Sequence, residues 1–183
     1  MVSSEKTDDV KQETKSPKLA VMSASAIVTL AGALLVSEGM KLKPYKDVAG
    51  VWTVCDGLTG SWIDPNKTYT KQECVERKAI YLQDMAKKMS CVPPQTDETW
   101  IALGHFTYNI GTSGFCNSTL AKYLKEGRQE AACKQMLKWD VLTIKGKKVH
   151  CSLPENRKNI NWCDGIMKRR EMEHDWCIAA ISK

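Results

Sequence analysis

The chain has 183 residues, 43% hydrophobic and 26% charged, which excludes wholesale disorder and leaves enough length to bury a core without staples. In its first eighteen residues Lys6, Lys11, Lys15 and Lys18 face Glu5, Asp8, Asp9 and Glu13, so the net charge of +6 falls entirely on residues 19–183. That excess favours an acidic partner, although a mildly basic solvated surface explains it as simply.

In chain order, residues 1–18 are polar, charged and without apolar period, and are predicted to form a disordered tail. Residues 19–36, LAVMSASAIVTLAGALLV, carry no charge, and half of them are Ala, Gly, Ser or Thr. As a helix this run is about 27 Å long, just short of a hydrocarbon core of about 30 Å. Three readings stay open: a marginal membrane anchor, a signal peptide cleaved near Ala31-Gly32-Ala33, or a buried helix of a soluble fold. The lysines on either side of the run do not settle an orientation.

Residues 38–64 are broken by Gly39, Pro44, Gly50, Gly57 and Gly60 around strand-like pieces such as Val51–Val54, which predicts a small hairpin unit. Thr70-Lys71-Gln72-Glu73 is a capping box, the hydroxyl and the carboxylate each satisfying a helix-end amide. It starts a long helix with an apolar stripe at Val75, Ala79, Leu82, Ala86 and Met89, stopped by Pro93-Pro94. Thr96 caps a helix carrying Trp100, Leu103, Phe106 and Ile110. Ser118 caps a short one ending at Gly127, and another spans about Gln129 to Trp139. Residues 141–164 read as loop. Met167 to Ile181 reads as a final helix with Met172, Trp176 and Ala180 on one side. The fold class is therefore α+β, a small β-hairpin lobe and a mainly helical lobe joined by a long helix, with a cleft between lobes as the natural ligand site.

The eight cysteines are dispersed, the nearest two being Cys151 and Cys163, and no C-x-x-C occurs. Zinc knuckles and thioredoxin-type chemistry are thus disfavoured, and disulfides formed in an oxidising compartment are expected. Spacing does not choose the pairing. No metal site and no cofactor are expected: Gly-rich phosphate loops and a Gly-x-Ser-x-Gly elbow are absent. The best basic run, Lys168-Arg169-Arg170, is broken by Glu171 and Glu173. It reads as a solvated helix face or a local ion-pair network, so no nucleic-acid partner is expected.

Carboxylates remain. Glu38 follows the apolar run, Asp47 lies in a turn, and Thr53 lies in the strand-like piece. A carboxyl at the end of an apolar helix is partly desolvated and suits a general acid, while a carboxylate in a polar turn suits a base that orients water. The plain alternatives are a surface Glu, a type I turn over Asp47-Val48-Ala49-Gly50, and a β-branched strand residue.

The stretch from Glu38 to Thr53 fills every fixed place of E-G-x-x-L-x-x-Y-x-D-x-x-G-x-x-T. It resembles the active-site segment of the phage T4-type lysozymes, glycoside hydrolase family 24. Phe106-Thr107-Tyr108-Asn109-Ile110-Gly111 resembles the family's F-x-x-N-x-G patch, Ser118-Thr119-Leu120 its S-T-L patch, and Lys168 to Glu173 its R-R-x-x-E signature. The resemblance spans roughly residues 30–181, in family order. It implies a lysozyme-like fold and hydrolysis, with inversion, of the β-1,4 bond between N-acetylmuramic acid and N-acetylglucosamine. By the same resemblance Glu38 is the general acid, Asp47 positions or activates the water, and Thr53 holds that water from the other side. One departure stands out: the family's His shortly after the threonine strand is replaced by Leu58, and Cys55 is a candidate to staple the same region.

The apolar run, for its part, resembles the signal-arrest-release segments of some phage endolysins. That implies a polar tail at 1–18, a weakly hydrophobic anchor at 19–37 and a catalytic domain at 38–183. It further implies tethering to the host inner membrane through residues 19–36, followed by release into the periplasm. Peptidoglycan is the implied substrate, and a monomer the implied state. While the run sits in lipid, Glu38 is pinned at the membrane surface. Residues 19–36 contain no Cys, so activation by disulfide exchange with the anchor is not expected. From another class, a non-catalytic wall-binding protein on the same scaffold has no need of Glu38, Asp47 and Thr53 together. A lytic transglycosylase has no clear use for Asp47 and Thr53.

Overall fold

The computed structural model describes residues 22–47, 50–144 and 146–183, with residues 36–38 described by backbone alone. The tail at 1–18, the first residues of the apolar run, and Val48 and Ala49 of the Asp47 turn lie outside the described residues.

Most of the apolar run folds as helix α1, Ala24–Glu38, with Ser23 as its cap. The Ser23 hydroxyl accepts the Ala26 N–H at 3.1 Å and donates to Asp97 Oδ2 at 2.5 Å. Ala26, Ile27, Leu30, Ala31 and Leu34 are buried, while Val28 is 68% exposed. In this state the run is thus a core helix with one wetted side. Among the described residues no helix is long and apolar enough to cross a membrane.

Gly39, at φ 72°, ends α1 in a conformation that a Cβ disfavours. The chain then forms β1 (Lys41–Lys46), β2 (Trp52–Cys55) and β3 (Leu58–Thr59), an antiparallel sheet in that order. Tyr45 pairs with Thr53 and Lys46 with Trp52, with an irregularity between Lys41 and Tyr45. Pro44 lies there and has no N–H to give the ladder. Val54, Cys55, Leu58, Ile63, Tyr69 and Cys74 form this lobe's own core.

The capping box forms as its sequence predicts at α2, Lys71–Lys88. Glu73 N donates to Thr70 Oγ1 at 3.2 Å, and Thr70 N donates to Glu73 Oε2 at 2.8 Å. Leu82, Ala86 and Met89 of the expected stripe are buried, but the buried face departs from it at its start. It runs through Cys74, Lys78, Leu82, Met85 and Ala86, and Val75 is exposed. The Cys55–Cys74 disulfide and a buried ion pair at Lys78 set the helix rotation, so a cation occupies a place that apolar period assigns to a hydrophobe.

Helix α3, Asp97–Ile110, is the axis of the helical lobe and packs against both α1 and the last helix. Trp100, Leu103 and Phe106 are buried as expected. Around them lie α4 (Thr112–Cys116), α5 (Thr119–Lys125) and α6 (Gln129–Gln135), with a 3₁₀ turn at Met136–Lys138. Ser118 caps α5, accepting the Ala121 N–H at 3.1 Å.

Residues 141–164 are not loop. They form a hairpin of β4 (Val141–Ile144) and β5 (Lys147–His150), then helix α7 (Pro154–Asn159). The second strand, Lys-Lys-Val-His, has one apolar residue, so neither hydrophobic alternation nor length marks it. The hairpin is closed by Asp140, whose carboxylate accepts the Ser152 N–H at 3.1 Å and the Ser152 hydroxyl at 2.5 Å. The last helix, α8, spans Cys163–Ile181 and buries Met167, Arg170, Glu173, Cys177 and Ala180. The expected Met172–Trp176 side is more exposed, because two charges on the buried face find partners.

All eight cysteines pair, as Cys55–Cys74, Cys91–Cys116, Cys133–Cys177 and Cys151–Cys163. Restricting the unfolded chain makes Cys133–Cys177, the longest loop at 44 residues, worth roughly 4 kcal/mol, and the short Cys151–Cys163 loop roughly 3 kcal/mol.

Candidate active site

Asp47 and Thr53 are placed by one hairpin. Asp47 follows β1, and its N–H donates to the Val51 carbonyl at 3.0 Å. Its Oδ1 accepts the Val51 N–H at 2.9 Å, and its carbonyl accepts the Gly50 N–H at 2.9 Å. Gly50, at φ 77°, lets the chain close this turn. The half-buried Asp47 carboxylate is thereby fixed at the hairpin tip. Thr53 is 3% exposed on β2. Its hydroxyl donates to the Val51 carbonyl at 3.1 Å, which commits its proton and leaves its oxygen as an acceptor. Val51 thus orients both side chains. Glu38 is the last residue of α1, three before β1. Its backbone enters the base of the hairpin, and its carboxyl lies outside the described side chains.

A cavity of about 250 Å³ opens at the turn between β2 and β3, lined by Asp56, Leu58, Thr59, Tyr81, Tyr108 and Asn109 among others. A buried polar cluster fixes its floor. Lys78 Nζ lies 2.5 Å from Asp56 Oδ2, with both side chains fully buried, and donates to the Tyr108 hydroxyl at 2.7 Å. That hydroxyl donates to the Asp56 carbonyl at 3.0 Å. The turn after Thr53 is therefore tied to both α2 and α3, beside the covalent tie of Cys55 to Cys74. Leu58, meanwhile, is buried in the apolar core of the β lobe. The polar link between lobes runs through Asp56 and Lys78 instead. No periodicity in the sequence singled out Lys78, because a charged residue inside a helix reads as solvated until its partner is known.

A second network joins two motifs that the sequence holds apart. Arg170 binds Glu173 and Asn109 through its two terminal nitrogens, and its Nε donates to the Trp139 carbonyl at 3.1 Å. His105 Nδ1 lies 2.7 Å from the other Glu173 oxygen. His105, Arg170 and Glu173 are all buried. Of the two readings open for Lys168-Arg169-Arg170, Arg170 follows the ion-pair network. The Asn109 patch and the Arg170–Glu173 signature are thus two halves of one bracket, buried at Arg170 and Glu173 and open at Asn109. Near it, burial pushes Asp140 up, but the Ser152 hydroxyl and N–H together with His150 outweigh it and hold the carboxyl below its ordinary value. Among the described residues no group of His, Cys, Asp or Glu is arranged to hold a metal.

A helical lobe and a β-hairpin lobe flanking a cleft define a lysozyme-type protein. The chain belongs to the phage lysozyme family, whose model matches residues 36–173. It is 37% identical over 164 residues to the SAR-endolysin of Bacteriophage PS119, covering 87% of each chain. It is 36% identical over 164 residues to the SAR-endolysin of Enterobacteria phage P21, covering 87% of this chain and 88% of that one. Among solved structures, its fold is similar to the muramidase domain of SpmX from Asticaccaulis excentricus, with TM-score 0.69, 21% identity, and 86% and 97% of the two chains covered. It is similar too to the endolysin from Escherichia coli O157:H7 phage FAHEc1, with TM-score 0.67, 24% identity, and 86% and 92% covered.

Proposed function

We propose that the protein is a muramidase endolysin. It hydrolyses the β-1,4 bond between N-acetylmuramic acid and N-acetylglucosamine in peptidoglycan and so lyses the host cell. Membership of the phage lysozyme family carries this reading, and the Val51-centred hairpin that presents Asp47 and Thr53 supports it. In this mechanism Glu38 protonates the leaving oxygen. Asp47 orients and deprotonates a water on the opposite face of the sugar, and the Thr53 oxygen accepts a hydrogen bond from that water. Attack from the face opposite the leaving group inverts the anomeric centre. The protein's own groups supply the acid and the base.

The proposal extends to the route of delivery. The run at 19–36 tethers the chain to the inner membrane, and its release frees a monomeric enzyme into the periplasm. The packing of α1 into the core is consistent with the released state, since α2 and α3 cover its buried apolar side. The domain division at 1–18, 19–37 and 38–183 belongs to the same reading.

The test is incubation of oxidised protein, wild type and Glu38→Gln, with bacterial peptidoglycan, followed by identification of the new sugar ends. Reducing muramic acid ends from the wild type alone are expected. Anhydro ends would point to a transglycosylase. Wall binding without cleavage by a folded wild type would point to a binding protein on the same scaffold.

A further inference from the structure

Helix α2 grips the turn between β2 and β3 twice. Cys74 is bonded to Cys55, and Lys78 pairs with Asp56. Cys55 and Asp56 are neighbours in the turn, while Cys74 and Lys78 lie about one helical turn apart on the buried face of α2. The grip falls just after Thr53. Thr53 pairs with Thr59, and Val54 with Leu58, across this turn. The place of the Thr53 hydroxyl therefore depends on the course of the chain through Cys55, Asp56 and Gly57.

The turn does not hold that course by itself. Cys55 stands at φ 62°, the one non-glycine residue in the left-handed region among the described residues, where a Cβ is crowded by the following carbonyl. Such a conformation persists only where its surroundings over-determine it.

Stability does not account for the ion pair. The Asp56 and Lys78 side chains are fully buried. Taking two charges out of water offsets most of their attraction, so an apolar pair filling the same space is often as stable. Asp56 Oδ1 is moreover buried without a hydrogen-bond partner among the described residues. What the pair supplies, and an apolar pair does not, is direction. Lys78 Nζ stands over the Tyr108 ring at 3.9 Å and donates to the Tyr108 hydroxyl, which donates in turn to the Asp56 carbonyl. One ammonium thus fixes both the side chain and the backbone of Asp56.

We infer that Lys78 is a positioning residue of the hydrolytic reaction. Acting through Asp56 and Tyr108, it sets the β2–β3 turn and so the direction in which Thr53 presents its oxygen to the attacking water. The inference rests on the muramidase reading and adds to it a residue of α2 that acts without touching the substrate.

The test is a double-mutant cycle. Asp56→Asn/Lys78→Met removes both charges together, so no buried ion is left alone, and thermal melts select a temperature at which every variant is folded. On peptidoglycan this variant is expected to lose about tenfold in kcat with KM kept within about twofold, the mark of an interaction expressed in the transition state. In a Thr53→Ala background the same changes are expected to lower kcat by less than about twofold, because the group that Lys78 aims is gone. Losses that multiply independently in the two backgrounds, a change confined to KM, or no loss would overturn the inference. A structural role alone gives the independent result.

Amide exchange supplies a reading that needs no activity. In Asp56→Asn/Lys78→Met the amides of β2 and β3 are expected to lose protection while those of α3 keep it. Unchanged protection in β2 and β3, or equal loosening of α3, would overturn the positioning role. A folded wild type that releases no reducing muramic acid ends, with the exchange result as expected, would sink the muramidase reading and leave the hold of Lys78 on the turn established.

Discussion

Helices α1 and α8 pack on the same central helix, α3, by different means. α8 carries Cys163 and Cys177, each in a disulfide, and its Arg170 and Glu173 are locked to His105 and Asn109 of α3. α1 has no cysteine and, before Glu38, no charge. It rests on apolar contact, on the bonds from Ser23 to Asp97, and on a notch at Gly104. A Cβ on Gly104 would lie 2.5 Å from Leu30 Cδ2 and 3.1 Å from Met22 Cε. One end of the helical lobe is thus sewn, and the other is seated. A seated helix can leave and return without bond chemistry, whereas a sewn one cannot.

Four further substitutions or conditions probe that contrast, from the largest effect to the smallest. Glu173→Ala strands a buried guanidinium and a buried imidazole, and is expected to cost roughly 3–5 kcal/mol in denaturant melts. A loss under 1 kcal/mol would mean that the α8 bracket is ornamental. Cys133→Ser/Cys177→Ser is expected to cost roughly 2–4 kcal/mol and to raise amide exchange in α8 and α6 while leaving α1 protected. Equal loosening of α1 would erase the distinction. Gly104→Leu overfills the notch, which should cost roughly 1–3 kcal/mol. Its exchange signature should be the mirror image, α1 opening with α8 held.

The smallest effect is an acid one. The Asp140 carboxyl sits below its ordinary value of 3.8. A depressed carboxylate stabilises the fold above its unfolded value, and that contribution is lost as pH falls through the folded one. Between about pH 4 and the lower folded value, the β4–β5 hairpin and its tie to Ser152 should therefore loosen. Exchange of the Ser152 amide reads this directly. Protection unchanged down to pH 2 would show that the Ser152 bonds do not depend on the charge.

Local features were legible in the sequence where long-range partners were not, and the seated helix α1 itself stayed open between three readings. The cap at Thr70 and Glu73 and the core positions Trp100, Leu103 and Phe106 follow from local rules, because their partners lie within a turn or on an obvious apolar face. The buried face of α8 does not, since Arg170 and Glu173 look solvated until Asn109 and His105 arrive from α3. Lys78 on α2 misled the stripe for the same reason. The hairpin at 141–150 escaped notice because half of β5 is lysine and its order comes from Asp140 and a disulfide. At the candidate site, the motif from Glu38 to Thr53 was visible as a pattern. The role of Val51 as the shared partner of Asp47 and Thr53 was not, because backbone groups leave no trace in composition.

The bond between Ser23 and Asp97 has a metric consequence. It fixes the start of a helix whose fifteenth and last residue is Glu38, so the acid proposed for catalysis is measured out from a point about 22 Å away. A slip of α1 by one residue would move the Glu38 backbone about 1.5 Å along the axis and swing it about 100°. Proton transfer tolerates little of either. A serine at the far end of the helix therefore acts as the zero mark of a ruler whose last graduation is the proposed acid.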